Sequence, residues 1–174
     1  TNDPEVIRQA DGIILPGVGA FPAAMSNLEA CHLVPVLNEV KDKGTPILGI
    51  CIGMQLLFEE GSENGHTKGL GFLKGSVDKM EVDAKLPHMG WNQLVIKQSH
   101  PLLKYVEEGD YVYFVHSYSA HCPEDEIGAY VNYGCKKITA FVYKDNVMGT
   151  QFHPEKSGEI GKKILRAFKE LVTC

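Results

Sequence analysis

Ile47-Leu48-Gly49-Ile50-Cys51-Ile52-Gly53-Met54-Gln55-Leu56-Leu57 decides how this chain folds. The short apolar run Ile47 to Ile50 predicts a strand buried on both faces, as in a parallel sheet. Met54, Leu57 and Phe58 recur at i, i+3 and i+4, which predicts a helix starting directly after it. Between the two lies G-x-C-x-G, the strand–turn–helix pattern of a nucleophile elbow with a thiol in place of the hydroxyl. Such a turn is strained, and side chains flanking the nucleophile would collide; Gly49 and Gly53 remove them. Cys51 is then presented at the carboxyl end of the sheet, where ligands bind in open α/β folds. Its place near the first helical turn favours the thiolate, and the Ile52 amide is placed to donate to an oxyanion. A lone cysteine is more often a buried structural residue. The two glycines and the strand–helix setting favour a nucleophile here.

Moving outward, Gly12-Ile13-Ile14-Leu15 predicts another buried strand, leaving through Pro16-Gly17 into a tight loop. Before it, Asp3-Pro4-Glu5 opens a short helix with Asp3 as cap and Pro4 in the first turn. After it, helical spacing runs through Ala23, Leu28, Val36, Leu37 and Val40 as one helix that Gly44-Thr45-Pro46 stops. Gly61 to Gly71 is a glycine-rich loop. Beyond Phe72 the pattern turns to short β-rich pieces at Leu94–Ile96, Tyr111–Val115, Ala129–Val131 and Thr139–Tyr143. A strand at Val147–Phe152 follows an Asp145-Asn146 hairpin turn. Ile160, Ile164, Phe168 and Leu171 then form one stripe of a last helix, after Ser157-Gly158. Strand–helix alternation in the first third and β-rich segments later predict an α/β protein: one domain over residues 1–174, a three-layer αβα arrangement on a mixed, largely parallel sheet.

The 174 residues suffice for one domain burying roughly 70% of its unfolded surface. Seventeen basic against 22 acidic side chains leave a net charge of −5, which argues against a broad basic face for nucleic acid. No apolar run approaches the ~20 residues of a membrane helix. Cys31, Cys51, Cys122, Cys135 and Cys174 are odd in number and irregular in spacing, so neither a disulfide framework nor a structural zinc site is expected, and a reducing cytoplasm is the default location. No cluster has metal-ligand spacing, and no metal is expected.

A thiol nucleophile needs a proton acceptor, and the acceptor needs an orienting partner. His153 is the candidate base, because it ends a strand in Gly149-Thr150-Gln151-Phe152-His153-Pro154-Glu155 and Pro154 stops the ladder there. Glu155, two residues on, can hold the imidazole tautomer. Taken by itself, His-Pro-Glu reads better as a surface turn. His153 lies 102 residues after Cys51, so their proximity rests on strand ends meeting at one edge of the sheet. His32, His66, His88, His100 and His121 are expected to be surface or packing residues.

Five segments together resemble a known family: Pro16-Gly17-Val18-Gly19-Ala20-Phe21, Gly49-Ile50-Cys51-Ile52-Gly53-Met54-Gln55, Pro87-His88-Met89-Gly90-Trp91-Asn92, Tyr113-Phe114-Val115-His116-Ser117-Tyr118 and Gln151-Phe152-His153-Pro154-Glu155-Lys156-Ser157. They resemble, in order, those of triad-type glutamine amidotransferases, and within these the glutaminase subunits of imidazole glycerol phosphate synthase. The resemblance implies a flavodoxin-like fold and hydrolysis of glutamine to glutamate and ammonia, with Cys51 as nucleophile, His153 as base and Glu155 as its orienter. It implies an oxyanion hole from the amides of Val18 and Ile52, with Gly17 and Gly19 freeing the Val18 peptide to flip, so that the hole switches on with the second substrate. Gly17, Gly19, Gln55, Ser117 and Tyr118 would contact glutamine; Trp91, Tyr113 and Lys156 would contact the partner. That partner would be a (β/α)-barrel cyclase subunit that uses the ammonia to make imidazole glycerol phosphate and aminoimidazole-carboxamide ribotide in histidine biosynthesis. No cofactor is implied. The family begins with a strand, a helix and a strand, and Thr1 matches only the end of that stretch; the N-terminal strand–helix–strand is expected to be absent here, and a central strand with it. Two other readings remain: an amidotransferase serving another acceptor, such as anthranilate or guanylate synthesis, and a non-catalytic scaffold that keeps the motif.

Overall fold

The computed structural model describes residues 1–173; Cys174 lies outside the described residues. The elements, in chain order, are α1 (Pro4–Gln9), β1 (Ile13–Leu15), α2 (Phe21–Ala30), α3 (Leu33–Asp42), β2 (Ile47–Ile50), α4 (Ile52–Leu56), β3 (Phe58–Gly61), β4 (Thr67–Lys68), β5 (Leu73–Lys79), β6 (His88–Gln93), β7 (Val95–Ile96), β8 (Tyr111–His116), β9 (Tyr118–His121), β10 (Ile127–Tyr133), β11 (Lys136–Lys144), β12 (Val147–Thr150) and α5 (Gly158–Val172). Three sheets result: six strands in the order β1-β2-β12-β11-β10-β7, four in the order β4-β3-β5-β9, and a two-stranded ribbon of β6 and β8.

In the six-stranded sheet β1, β2 and β12 run parallel, and the remaining pairings, through β11, β10 and β7, are antiparallel. The parallel part is the one predicted from strand–helix alternation, and β2 is buried at all four positions. β1 is only partly buried, with Ile14 near half exposed, because it borders the sheet and pairs on one side alone. The helices form two groups. α1 and α2 pack on α3, whereas α5 packs elsewhere, against β8 and the 3-10 turns Pro101–Leu103 and Pro154–Lys156. Asp3 caps α1 as expected, its carboxylate accepting the Glu5 N–H at 2.9 Å. Ile164 and Phe168 bury the predicted stripe of α5.

Four local expectations give way. The single helix through Ala23 and Val40 is two helices, broken where His32 adopts φ 55°, a left-handed turn that ends α2 and re-aims the chain. The helix after Cys51 lasts only to Leu56: Phe58 enters β3, because the carbonyls of Leu56 and Leu57 accept bonds from Leu70, Phe72 and Leu73 instead of continuing the helix. Gly61–Gly71 is partly a hairpin, since β3 pairs with β4. His88–Gln93, in which no strand was expected, pairs with β8 in antiparallel register, Trp91 opposite Tyr113. His88, Gly90 and Asn92 of β6 share its inner face, and Met89, Trp91 and Gln93 its outer face.

Candidate active site

Cys51 occupies the turn between β2 and α4 with φ 54° and ψ −111°, a backbone region costly for a residue bearing a Cβ. The surroundings hold it there. The Cys51 N–H donates to the Thr150 carbonyl at the end of β12, 2.8 Å, and its own carbonyl accepts from Gln55 at 3.1 Å. The flanking glycines are sterically required: a Cβ on Gly53 would lie 1.7 Å from the Leu15 carbonyl oxygen, and one on Gly49 would lie 2.6 Å from that of Gly53. This is the crowding that the G-x-C-x-G spacing predicts.

β2 and β12 are parallel neighbours with Ile50 opposite Thr150, so both chains leave the sheet at the same edge. Three residues past Thr150, the His153 N–H is fixed by the Tyr113 carbonyl of β8 at 2.9 Å. Its Nδ1 faces Glu155 Oε1 at 2.7 Å. The carboxylate can only accept, so Nδ1 carries the proton and Nε2 presents a lone pair. That Nε2 is buried without a hydrogen-bond partner, and His153 as a whole is 2% exposed. Cys51 and His153 line the same cleft of about 360 Å3, together with Val18, Gly19, Ile52, Gln55, Ser117, Tyr118 and Lys156.

The thiol itself departs from expectation. Burial pushes the Cys51 pKa up from 9.0 to about 11, a shift that the Ile52 N–H and the Lys156 charge oppose but do not overcome. With 5% of the residue exposed and only a five-residue helix behind it, desolvation outweighs the helix terminus. Burial thus favours the neutral thiol at rest. Gln151 Nε2 also donates toward its sulfur, at 3.8 Å.

The remaining predicted residues divide. Val18 is 80% exposed at the mouth of the cleft, and Gly19 beside it has φ 94°. Gly17 does not line the cleft; it packs against Ile52 and Gly53, where an added Cβ would come within 3.2 Å of the Gly53 nitrogen, so its part is to seat the loop. Gln55 is buried and fully oriented: Nε2 donates to the Gln151 side-chain oxygen at 2.9 Å and to the Tyr118 carbonyl at 3.3 Å, leaving Oε1 buried and unpaired. Trp91 and Tyr113 meet edge to face at 6.1 Å on the outer face of the ribbon. Lys156 follows on the 3-10 turn after His153, and a Cβ on Gly158 would lie 3.9 Å from the edge of the Trp91 ring.

Sequence reasoning missed Glu63, His116 and Gln151. Glu63 lines the cleft from the β3–β4 loop, held by the Phe21 N–H at 2.8 Å; nothing marks one acid in a glycine-rich loop until the loop is folded back. Gln151 sits two residues before His153, and its polarity at the end of a buried strand was the available signal.

The class-I glutamine amidotransferase family model matches residues 1–171. The HisH subunit of imidazole glycerol phosphate synthase from Lactococcus lactis subsp. lactis (strain IL1403) is 56% identical over 170 residues, covering 98% of this chain and 84% of that protein. The chain belongs to the class-I glutamine amidotransferases, among the HisH subunits. The HisH of Bacillus cereus (strain G9842) is 52% identical over 99% of this chain and 82% of its own length. A crystal structure of a glutamine amidotransferase superposes with a TM-score of 0.76 at 18% identity, covering 100% of this chain and 85% of the other, which supports the fold. Among the described residues no helix of this HisH-family chain is long and apolar enough to cross a membrane.

Proposed function

We propose that this chain is the glutaminase subunit of an imidazole glycerol phosphate synthase in the cytoplasm, working as one amidotransferase domain on a (β/α)-barrel cyclase partner. The observation that carries the reading is His153 Nε2: buried, unpaired, oriented by Glu155 and sharing a cleft with Cys51.

Glutamine enters with its side-chain amide over Cys51. The Glu63 carboxylate suits the α-ammonium group, while the unpaired Gln55 Oε1 and the backbone of Ser117 and Tyr118 offer further polar contacts. As Sγ attacks the carboxamide carbon, the thiol proton passes to His153 Nε2, so a free thiolate is never required in the resting state. Negative charge then develops on the amide oxygen, within reach of the Ile52 N–H and, once its peptide turns inward, the Val18 N–H. His153 returns the proton to the leaving nitrogen, ammonia departs and a γ-glutamyl thioester remains. Water, activated by His153, releases glutamate and restores the thiol. Glu155 stabilises the imidazolium at both stages.

Met89, Trp91 and Tyr111, 61%, 55% and 52% exposed, form an apolar stripe on the outer face of the ribbon, beside the cleft and Lys156. Such a stripe fits a partner surface. Ammonia passed across it stays out of bulk water, where it would be protonated and lost. The acceptor is the phosphorylated ribulosyl aminoimidazole-carboxamide nucleotide, and the flanking glycines of Val18 let its peptide switch. The test is glutamate release from the chain mixed with a barrel cyclase, with and without acceptor nucleotide. Release should rise sharply when both are present and vanish in Cys51→Ala, which still associates. Equal release with and without partner and nucleotide defeats the switched hole, and activity surviving in Cys51→Ala defeats the mechanism.

A further inference from the structure

Behind Gln55, a second set of buried polar groups runs through the molecule. His116 lines the cleft, and its Nδ1 lies 2.8 Å from the Tyr118 carbonyl. Its Nε2 lies 2.9 Å from His88 Nδ1. His88 Nε2 in turn faces Asn92 Nδ2 at 3.2 Å, and the same Nδ2 donates to the Asn132 carbonyl at 3.0 Å. Both rings are buried, and His88 is sandwiched between Phe114 and Tyr133 at centroid distances of 4.7 and 4.0 Å.

The two carbonyls at the ends fix every proton in between. A carbonyl only accepts, so His116 Nδ1 carries hydrogen and its Nε2 is a bare acceptor. His88 Nδ1 must then be the donor to it, leaving His88 Nε2 bare to accept from Asn92. Asn92 is held with its nitrogen inward because that nitrogen also serves Asn132, while its oxygen accepts the Gln93 N–H at 2.8 Å. One proton order satisfies the whole chain, with both rings neutral. A charged His88 would set an N–H against the Asn92 N–H. The neutral state suits the burial, which holds both histidines well below their ordinary value, at about 4.

The inner end is shared. The Tyr118 carbonyl that His116 holds also accepts from Gln55 Nε2, and Gln55 passes on to Gln151, whose Nε2 reaches the Cys51 sulfur. Gln55, which lines the cleft, therefore has both of its N–H groups committed and keeps Oε1, buried and unpaired, as its free acceptor. We infer that His88 and His116 are positioning residues for glutamine: they fix the Tyr118 carbonyl, which fixes the amide orientation of Gln55 and keeps its Oε1 as an acceptor facing the substrate. This rests on the glutaminase reading of the cleft. The outer end of the relay is the inner face of β6, whose opposite face carries Trp91.

Two measurements on the full chain test it. Imidazole nitrogen NMR of the unsubstituted protein at neutral pH should show His88 and His116 both neutral with the proton on Nδ1; an Nε2-protonated His116, or a charged ring in either, overturns the relay. The second uses a diazoketone analogue of glutamine: Cys51 sulfur bonds to the diazo carbon, the thiol proton ends on that carbon and dinitrogen leaves. Loss of a buried orienting hydrogen bond should raise the half-saturating analogue concentration about tenfold in His116→Leu, with the limiting labelling rate falling less than about threefold. His116→Asn, whose amide can still donate to Tyr118, should recover most of the loss. Equal drops in both parameters, or no recovery by Asn, assign His116 to packing alone. Absence of saturable labelling in the unsubstituted chain would instead count against the glutaminase reading, and the ring tautomers would then decide the relay.

Discussion

The elbow at the ends of β2 and β12 and the β6–β8 ribbon touch through the bond from the His153 N–H to the Tyr113 carbonyl, yet they are built on opposite principles. The elbow is closed: Cys51, His153, Gln55 and Gln151 are all buried, and glycines stand where any side chain would strike backbone. The ribbon is half open: its inner face buries His88, Phe114 and His116, and its outer face leaves Met89, Trp91 and Tyr111 in solvent. A site that must hold a strained backbone conformation needs surroundings that overdetermine it. An apolar face left in solvent is, on the proposed reading, the one that a partner covers. The contrast predicts that changes at the elbow cost chemistry or folding, whereas changes on the outer ribbon cost association alone.

The sharpest break would come from the nucleophile. Cys51→Ala should lower partner-stimulated glutamate release by about 10^4-fold or more, as loss of a triad nucleophile does, with the melting temperature little changed. If His153 is the base that Cys51 uses, Cys51→Ala with His153→Ala should be scarcely worse than either alone, because the two act as a unit. Additive losses in initial-rate measurements would separate them.

Gly53→Ala tests the closure of the elbow. Its Cβ would fall 1.7 Å from the Leu15 carbonyl oxygen, a backbone atom that cannot rotate aside. A stability loss of about 3 kcal/mol is expected in denaturant titration. On the ribbon, Gly90 has φ 124° but nothing within 4 Å of an added Cβ, so Gly90→Ala should carry backbone strain without collision and cost less.

How far each region could be foreseen follows from the range of its interactions. The elbow was foreseeable because its constraint is local: the glycines two residues either side of Cys51 answer a collision within the same turn. Glu155 was foreseeable for the same reason, two residues from His153. That Cys51 and His153 line one cleft needed only that β2 and β12 be parallel neighbours. By contrast, β6 is a strand solely because it pairs with β8 some twenty residues on, and its glycine and polar content gave no strand signal. His88 looked like an ordinary packing histidine, and its bond to His116 depends on that same pairing. The break at His32 and the early end of α4 were hidden because apolar spacing continues across both: a single left-handed residue makes the first, and bonds from distant backbone make the second. Seating the thiolate in the resting site failed for another reason: the helix-terminus argument is sound locally, but burial, a property of the whole fold, is larger.

That burial sharpens the comparison through pH. Cys51 titrates at about 11 in the folded chain against an ordinary 9.0, so the folded state holds its proton more tightly than the unfolded one. The stabilisation is fully present below pH 9 and is lost as pH rises through 11, an effect on the order of 2 to 3 kcal/mol. Unfolding free energies of the unsubstituted protein and Cys51→Ala, close at neutral pH, should therefore separate between pH 9 and 11, the unsubstituted protein falling below the variant. A difference that stays flat across this window would mean that the sulfur is better solvated than its surroundings imply.

The smallest expected effect lies on the ribbon and is the most telling for the contrast. Trp91 is 55% exposed, meets Tyr113 edge to face and has its ring edge near Gly158. Because much of the indole is already in water, Trp91→Ala should change unfolding free energy far less than Gly53→Ala does. Large aromatic side chains at the centre of an interface commonly contribute about 2 kcal/mol or more to association, so the variant should bind a barrel cyclase roughly 30-fold more weakly by calorimetry. Met89→Ser, on the same face but without an aromatic neighbour in register, should weaken binding less. If Trp91→Ala instead destabilises the monomer while association holds, the outer face of the ribbon belongs to the core of this chain, and the division between a closed catalytic half and an open docking half fails there.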